Sequence, residues 1–544
     1  MSKISEYLSQ HLTGEVVDSL NVREFFSTDA SILSIRPQVI AYPRTTNDVR
    51  RAARFAWRLA EKGFVLPITP RGSGTDQTGA AIGSGMLIVF PAHMEKILEL
   101  DTKSRMVRVQ PGMNFKALQE AMATHGLFLP PFPASYKFST IGGALANNTS
   151  GEKAIKYGSM RDWTDRLEVV LANGEVIQTG RLSKHELNSK KGDETLEGEI
   201  YRALDGLIVD NATVIAEFGA RSLANSTGYA IDKVKNDDGS FDLTPLLIGA
   251  QGTLGIITQA IIKLAPRPKA TELLAASITE PSTDLSNIVS ELRKLEPSAV
   301  ELIDGATLEL IHKQTGVKPY KAVGDEKPEA ILIIEFDDVS DSKRSRKAKK
   351  VEALLANVGN IIRAQNWEDQ ESIYDIRHSV ATIVNYGDSN RAAVPLATAD
   401  AMVDPERIGE LIKSTRDLLK RNHISAAIWG HIGDGSLNVQ PLFDLSRTAD
   451  RQRLLRFIKA YYELVLSLDG SIASERGDGR LRAPFAKMQY GDDMLAIFEQ
   501  IKKIFDPKNT LNPGVIVGTE IKDVVETMRS SYDLTRLSNY QPKM

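Results

Sequence analysis

The chain has 544 residues, 42% of them hydrophobic and 25% charged, with a net charge of −3 at neutral pH. This balance excludes a broad basic field for nucleic acid and leaves material for roughly three to four domain-sized units. There is no cysteine, which excludes disulfides, thiolate nucleophiles and cysteine-ligated iron–sulfur clusters, so any one-electron relay is expected in a separate protein.

Residues 1–13 carry alternating polar side chains instead of an apolar leader, and no apolar run reaches the ~18 residues of a membrane span. A cytoplasmic location, or a peripheral one at a membrane, is expected. Residues 1–36 read as an arm packing on the domain that begins at residue 37. Pro43 to Asp48 starts a helix, with Val49, Ala52, Ala53, Ala56 and Leu59 at helical spacing until Gly63.

An apolar run at 64–69 predicts a strand leading into Pro70-Arg71-Gly72-Ser73-Gly74-Thr75-Asp76-Gln77-Thr78-Gly79-Ala80-Ala81. Gly72, Gly74 and Gly79 can take positive φ and admit an anion close to the backbone. Ser73, Thr75 and Thr78 add hydroxyls, and Arg71 adds a fixed charge. A diphosphate suits this cradle. The dinucleotide fingerprint fails at Gln77 and the P-loop fails at Ala80-Ala81, so neither nicotinamide nor ATP is favoured. A glycine-rich surface loop without a ligand is the competing reading.

Short strands are expected at 86–90, 97–101 and 106–110, followed by a helix from Asn114 to Gly126. A second small-residue stretch runs through Pro133, Ala134 and Ser135, then Thr140, Gly142, Gly143, Asn147, Thr149, Ser150 and Gly151. Thr140 can cap a short helix that offers a second anion face. Asn173-Gly174 predicts a hairpin turn and opens a β-rich second lobe, 183–197 reads as a polar insertion, and Pro266-Arg267-Pro268 closes the unit near residue 267.

Beyond 270 the elements lengthen: strands at 273–278, 299–304 and 330–336 and helices at 285–295 and 342–358 predict a sheet with helices on one face. Arg377 and His378 fall in a helix over 370–382, where an arginine is ordinarily a surface residue paired with an acid. Residues 426–432 and 436–440 flank Asp434-Gly435, and a two-residue turn would set His431 opposite Asn438. The helices expected at 447–468 and 492–504 are amphipathic. Residues 505–514 read as a return segment and 519–544 as a polar tail.

Together these motifs resemble a known family. Residues 37–267 are similar to the FAD-binding domain of the vanillyl-alcohol-oxidase type, and the rest resembles the cap of FAD-linked D-lactate and D-2-hydroxyglutarate dehydrogenases. The carrying segments are 70–80, 133–135, 139–151, Lys156-Tyr157-Gly158, Ser226-Thr227-Gly228-Tyr229, 252–257 and Asn512-Pro513-Gly514. The resemblance implies an α+β fold with a two-lobed FAD domain (37–267), a ferredoxin-like α+β cap (268–504) and a C-terminal segment (505–544) returning to the FAD domain. It implies that the first loop and the stretch from Thr140 to Gly151 hold the FAD diphosphate, that Ile256-Ile257 contacts the adenine side, and that Pro133, Ala134, Ser135, Gly252 and Asn512 also belong to the cofactor site. With no histidine between Arg71 and Ile82, non-covalent FAD is expected. Gln251 stands where the family carries an acid, a change expected to perturb binding without abolishing it.

By resemblance Arg377 is the clamp for a substrate carboxylate. His431, Asn438 and Glu475 match a metal-binding trio in which relatives have histidine at 438, so a divalent metal is left open beside a structural role for the three. Arg476 stands where relatives carry the histidine base, and arginine cannot act as a base at neutral pH. His431 or its bound water could replace it, or Arg476 could serve a dicarboxylate. Thr398 falls near a cationic substrate contact of some relatives. The implied activity is oxidation of a 2-hydroxy acid, with electrons leaving to a quinone, cytochrome, electron-transfer flavoprotein or iron–sulfur protein. The alternatives are a flavin-binding sensor or partner subunit with altered turnover, and a non-redox flavin enzyme related to alkyl-glycerone-phosphate synthase.

Overall fold

The computed structural model describes residues 2–220, 227–280, 284–316, 323, 327–383 and 400–529. The chain forms two compact units, each assembled from separate stretches. The first comprises Met1–Gly151, Gly158–Arg267 and Glu475–Thr527. The second comprises Glu152–Tyr157, Pro268–Ser474 and Met528–Met544. Both are mixed α and β, an α+β fold. The second unit ends at Ser474, before the expected 504, because the helix Ala486–Phe505 buries Met494, Ile497, Phe498 and Ile501 in the core of the first unit.

In the first unit a four-stranded sheet runs Glu15–Val17, Val39–Tyr42, Met86–Val89, Ile68–Arg71. Its last three strands are parallel, so a crossover helix is required. That helix is Thr46–Glu61, capped by the Thr45 side chain on Asp48 N and packed through Val49, Ala52, Ala53 and Ala56. The N-terminal arm joins the same core through Leu8 and Leu12. The strand leading to the first loop starts at Ile68 instead of 64, since Phe64 and Val65 are exposed, and it includes Arg71. Beyond its end, Leu511 forms a parallel bridge with Ile68.

A five-stranded antiparallel sheet makes the second lobe, in the order Ile97–Asp101, Met106–Val109, Ile256–Lys263, Thr164–Val170, Val176–Gln178. Gly174, at φ +85°, sits in the turn of its last hairpin. The stretch expected to be a polar insertion is helical: Ser183 and Glu186 form a reciprocal cap for Lys184–Gly192, and Leu196–Asp210 and Ala212–Ala220 come next.

The second unit is built on one antiparallel sheet of seven strands: Ile361–Arg363, Glu272–Ile278, Ala330–Phe336, Ala299–Asp304, Ala426–Gly430, Ser436–Pro441, Asp400–Met402. Helices cover both faces, not one. Leu273, Ala275, Ile303, Ile331, Ile333 and Trp429 pack with Leu308, Ile311, Ile373 and Val380 from the helices Gly305–Thr315 and Trp367–Ile383. On the other face, Lys347 of the helix Asp341–Leu355 lies 5.4 Å from the Phe336 ring centroid. Each strand of the central pair is buried throughout, as a doubly covered sheet requires.

Candidate functional site

The first loop is organised by Asp76. Its carboxylate accepts from the N–H groups of Thr78 (2.9 Å) and Ala80 (2.8 Å) and from the Thr78 hydroxyl. This side chain substitutes for backbone partners and curls the loop on itself. Gly74 and Gly79 are left-handed (φ +76° and +79°) as expected. Gly72 is not; its missing side chain serves close approach, because a Cβ there would lie 2.2 Å from Thr140 Oγ1. The two small-residue stretches, far apart in sequence, therefore touch.

Thr140 caps the helix Ile141–Ala146 by accepting from Gly143 N at 3.2 Å, and Gly142 abuts Pro111. Between the stretches lies a cavity that opens to solvent. Its wall includes Pro70, Arg71 and Gly72 from the first stretch, Thr140, Gly142, Gly143 and Asn147 from the second, and Gly252 and Ile257 from the second lobe.

The remaining expected cofactor residues do not line this cavity. Ser73, Gly74, Thr75, Gln77 and Thr78 build the loop without lining the cavity, as do Pro133, Ala134, Ser135, Thr149, Ser150 and Gly151 on the other side. Ile256 is fully buried in the core because strand alternation sends it to the face opposite Ile257. Asn512 is a strut: its Nδ2 donates to the carbonyls of Ala80 and Gln251, both at 2.8 Å, and its Oδ1 accepts from Thr69. Gln251, expected from the sequence to affect binding, lines the cavity, while sequence reasoning missed the linings by Asp76, Phe90 and Pro111. Asp76 sits inside the first loop, so its position alone could have flagged it.

In the second unit, strand and helix bring together charges that the sequence scattered. Glu301 lies in the middle of the otherwise apolar run of the strand Ala299–Asp304, which ends on a second acid, and is fully buried. It accepts from Arg377 Nε, and its other oxygen lies 2.6 Å from His431 Nδ1. Arg377 is 1% exposed, so it is an interior residue and not a helix-surface one. Beside it Glu152 contacts His378 Nε2 at 2.7 Å. Burial alone would raise the Glu152 carboxyl, but His378, Arg377 and His431 outweigh it and hold it below the usual carboxylate range. Lys153 pairs with Glu335 at 2.6 Å, Glu335 also accepts from Tyr374, and Lys156 and Tyr157 both bond Asp337.

The hairpin register differs from expectation by two residues. Trp429, not His431, faces Asn438, and Asp400 faces Asn438 on its other side. The turn is four residues long, closed by Ser436 N donating to His431 O, and Gly433 N within it donates to Val300 O of the neighbouring strand. The cross-strand argument for a ligand shared by His431 and Asn438 therefore does not hold. Among the described residues, no group of three or more His, Asp or Glu is arranged to hold a metal. Glu475 and Arg476 belong to the first unit; Glu475 is buried, with Arg476 Nη2 4.0 Å from its carboxylate. Ser226 and Thr398 lie outside the described residues.

Comparison with known proteins fits this geometry. Residues 37–180 match the profile of a FAD binding domain and residues 267–516 that of the C-terminal domain of FAD linked oxidases. The chain belongs to the FAD-linked oxidases. It is 29% identical to the glycolate oxidase subunit GlcD of Bacillus subtilis, over 97% of this chain and 99% of that one. It is 28% identical to the D-2-hydroxyglutarate dehydrogenase of Pantoea ananatis over 96% of its own length, but spans only 53% of that protein. Among solved structures, 4-ethylphenol oxidase from Gulosibacter chungangensis superposes with a TM-score of 0.68 at 16% identity, covering 96% of this chain and 99% of that one. That likeness concerns the fold, which is the vanillyl-alcohol-oxidase type.

The cavity of this FAD-linked oxidase fits its cofactor. Arg71 is 6% exposed, and its Nε is buried without a hydrogen-bond partner among the described residues. The guanidinium also donates to Ala81 O and feels Asp29 and Asp76, and its unpaired buried Nε–H on the cavity wall suits an acceptor such as a phosphate oxygen. Gly72, Gly142 and Gly252 bring bare backbone to the same wall, with no room for a Cβ at any of them.

One buried acid of the oxidase sets a pH dependence. Asp478 accepts from Gly228 N at 2.7 Å, and burial pushes its carboxyl up to about 7, against the lowering effect of that bond. Its folded-state pKa lies above the unfolded value of 3.8. Its stabilisation is thus complete below the unfolded value and is lost as pH rises toward 7. Asp478→Asn keeps an acceptor for Gly228 without the charge. Thermal melts should show the variant more stable than the parent at pH 8, with the difference vanishing near pH 4; parallel melts across this range would remove the assignment.

Proposed function

We infer that this chain oxidises a 2-hydroxy acid to the 2-oxo acid with FAD as the immediate acceptor. The observation that carries the reading is the cavity walled by two distant small-residue stretches around the unpaired Nε of Arg71. Two relatives spanning almost all of this chain bear names built on 2-hydroxy acids, glycolate and D-2-hydroxyglutarate, which supports the substrate class. FAD, when bound, supplies a two-electron acceptor for the hydride leaving Cα.

The chain's own residues bind, orient and take the proton. Arg377 grips the substrate carboxylate, and Glu301 fixes its guanidinium through Nε before substrate arrives. His431 accepts the hydroxyl proton at Nε2, the nitrogen turned away from Glu301, because the carboxylate at Nδ1 sets that tautomer. Arg476, which the resemblance sets where the base would stand, cannot itself be a base and would suit a more anionic substrate. FAD is held without a covalent link, and a separate protein or quinone reoxidises it. No described helix is long and apolar enough to cross a membrane.

Anaerobic addition of D- and L-2-hydroxy acids to the flavin-loaded protein should bleach the visible flavin band with one enantiomeric series. Dicarboxylates should do so faster than glycolate or lactate. A yellow protein inert to the whole panel would replace oxidation with a binding role, and equal rates would remove the role given to Arg476.

A further inference from the structure

The wall of the FAD cavity is tied by a ring of four side chains. Asp76 accepts from the Thr78 hydroxyl and, at 3.2 Å, from Asn147 Nδ2. Gln251 closes the ring: its Nε2 donates to Thr78 Oγ1 at 3.2 Å and to Asn147 Oδ1 at 2.7 Å. Its Oε1 accepts from Gly479 N at 2.8 Å. An N–H can face only the amide oxygen, so this backbone bond fixes which way the amide points and sends both Nε2 hydrogens into the ring. Gln251 is 3% exposed, lines the cavity and is held at φ +50°, and its carbonyl accepts from Asn512 Nδ2.

Three stretches meet at this one side chain: the first loop at Thr78, the second at Asn147 and the late segment at Gly479. A core amide chosen for packing would need none of these bonds. A carboxylate here would still accept from Gly479, but it would offer nothing to Asn147 Oδ1 or to a Thr78 hydroxyl whose hydrogen already serves Asp76. It would also set a second negative charge beside Asp76 on a wall that faces an anion.

We propose that Gln251 is a positioning residue for FAD, locking both cradle stretches to the segment 475–482, so that cofactor capture and ordering of that segment are one event. The proposal rests on the FAD reading above. It goes beyond that reading by assigning a linkage between the cradle and the stretch that carries Arg476.

The test uses the full chain as wild type, Gln251→Glu and Gln251→Leu. FAD affinity is read by flavin-fluorescence titration, and hydrogen exchange of 475–482 is followed with and without FAD. In the wild type, FAD should slow exchange across 475–482. Gln251→Glu should raise the FAD dissociation constant about tenfold while FAD still slows exchange at Gly479, whose acceptor survives. Gln251→Leu should raise it at least as much and abolish the effect of FAD on 475–482. Wild-type affinity in Gln251→Glu, or exchange of 475–482 that ignores FAD in the wild type, overturns the proposal; should the leucine variant not fold, these two results decide it. A wild type that takes up no FAD overturns the cofactor reading together with the linkage.

Discussion

Glu301→Ala should unfold the second unit at markedly lower denaturant than the parent. The substitution leaves Arg377 and His431, 1% and 3% exposed, without the carboxylate that both contact. Removing one partner of a buried ion pair costs about 3–5 kcal/mol, because the remaining charge can neither be solvated nor neutralised cheaply. Urea melts should register this loss in full. Glu301→Gln keeps an acceptor and the shape, so its loss should be roughly half as large. Flavin bleaching by a 2-hydroxy acid should nevertheless slow about a hundredfold in the glutamine variant, since an arginine displaced by an ångström loses its alignment with the carboxylate. A stable Glu301→Gln protein with parental bleaching would show that Glu301 positions nothing.

Gly252→Ala should yield protein that retains little flavin. Gly252 has φ +75°, a conformation that costs an L-residue about 1–2 kcal/mol. Its new Cβ would stand 2.3 Å from Pro70 Cγ, and both residues line the cavity, so the wall must shift where the cofactor lies. The FAD dissociation constant should rise at least about tenfold, the result of misplacing one good contact. Gly63→Ala is the control. It carries the same left-handed strain (φ +83°) with nothing within 4 Å of the added carbon, so it should lose stability and bind FAD normally. Equal flavin content in both variants would detach Gly252 from the site.

The cradle is legible in the sequence because glycine and threonine are chosen there for reasons that show in the letters: positive φ at Gly74 and Gly79, a helix cap at Thr140. Close approach is harder to see. Gly72 looks like a turn glycine, and only the fold reveals Thr140 against it. The hairpin register is not legible because the turn is a four-residue one closed on His431 O, with Gly433 also bonded to Val300 outside the hairpin, and local turn rules have no access to a third strand. Glu301 is hidden for a related reason. An acid in the middle of a largely apolar strand carries no period, and its partners come from residues 377 and 431, distances over which sequence spacing says nothing. The helix Lys184–Gly192 is masked by its polarity and announced only by its cap, whereas Leu196–Asp210 carries a buried stripe of Leu196, Ile200, Tyr201, Leu204 and Leu207 that is legible.

The bond from Asn512 to the carbonyls of Ala80 and Gln251 has a bearing on biogenesis. The first loop leaves the ribosome hundreds of residues before the amide that braces it, and Gly479, which orients Gln251, is also made late. A nascent chain thus carries an unbraced pocket through most of its synthesis. FAD uptake should come after translation instead of accompanying it, and chains interrupted ahead of residue 512 should accumulate colourless even where every glycine of the cradle has been made.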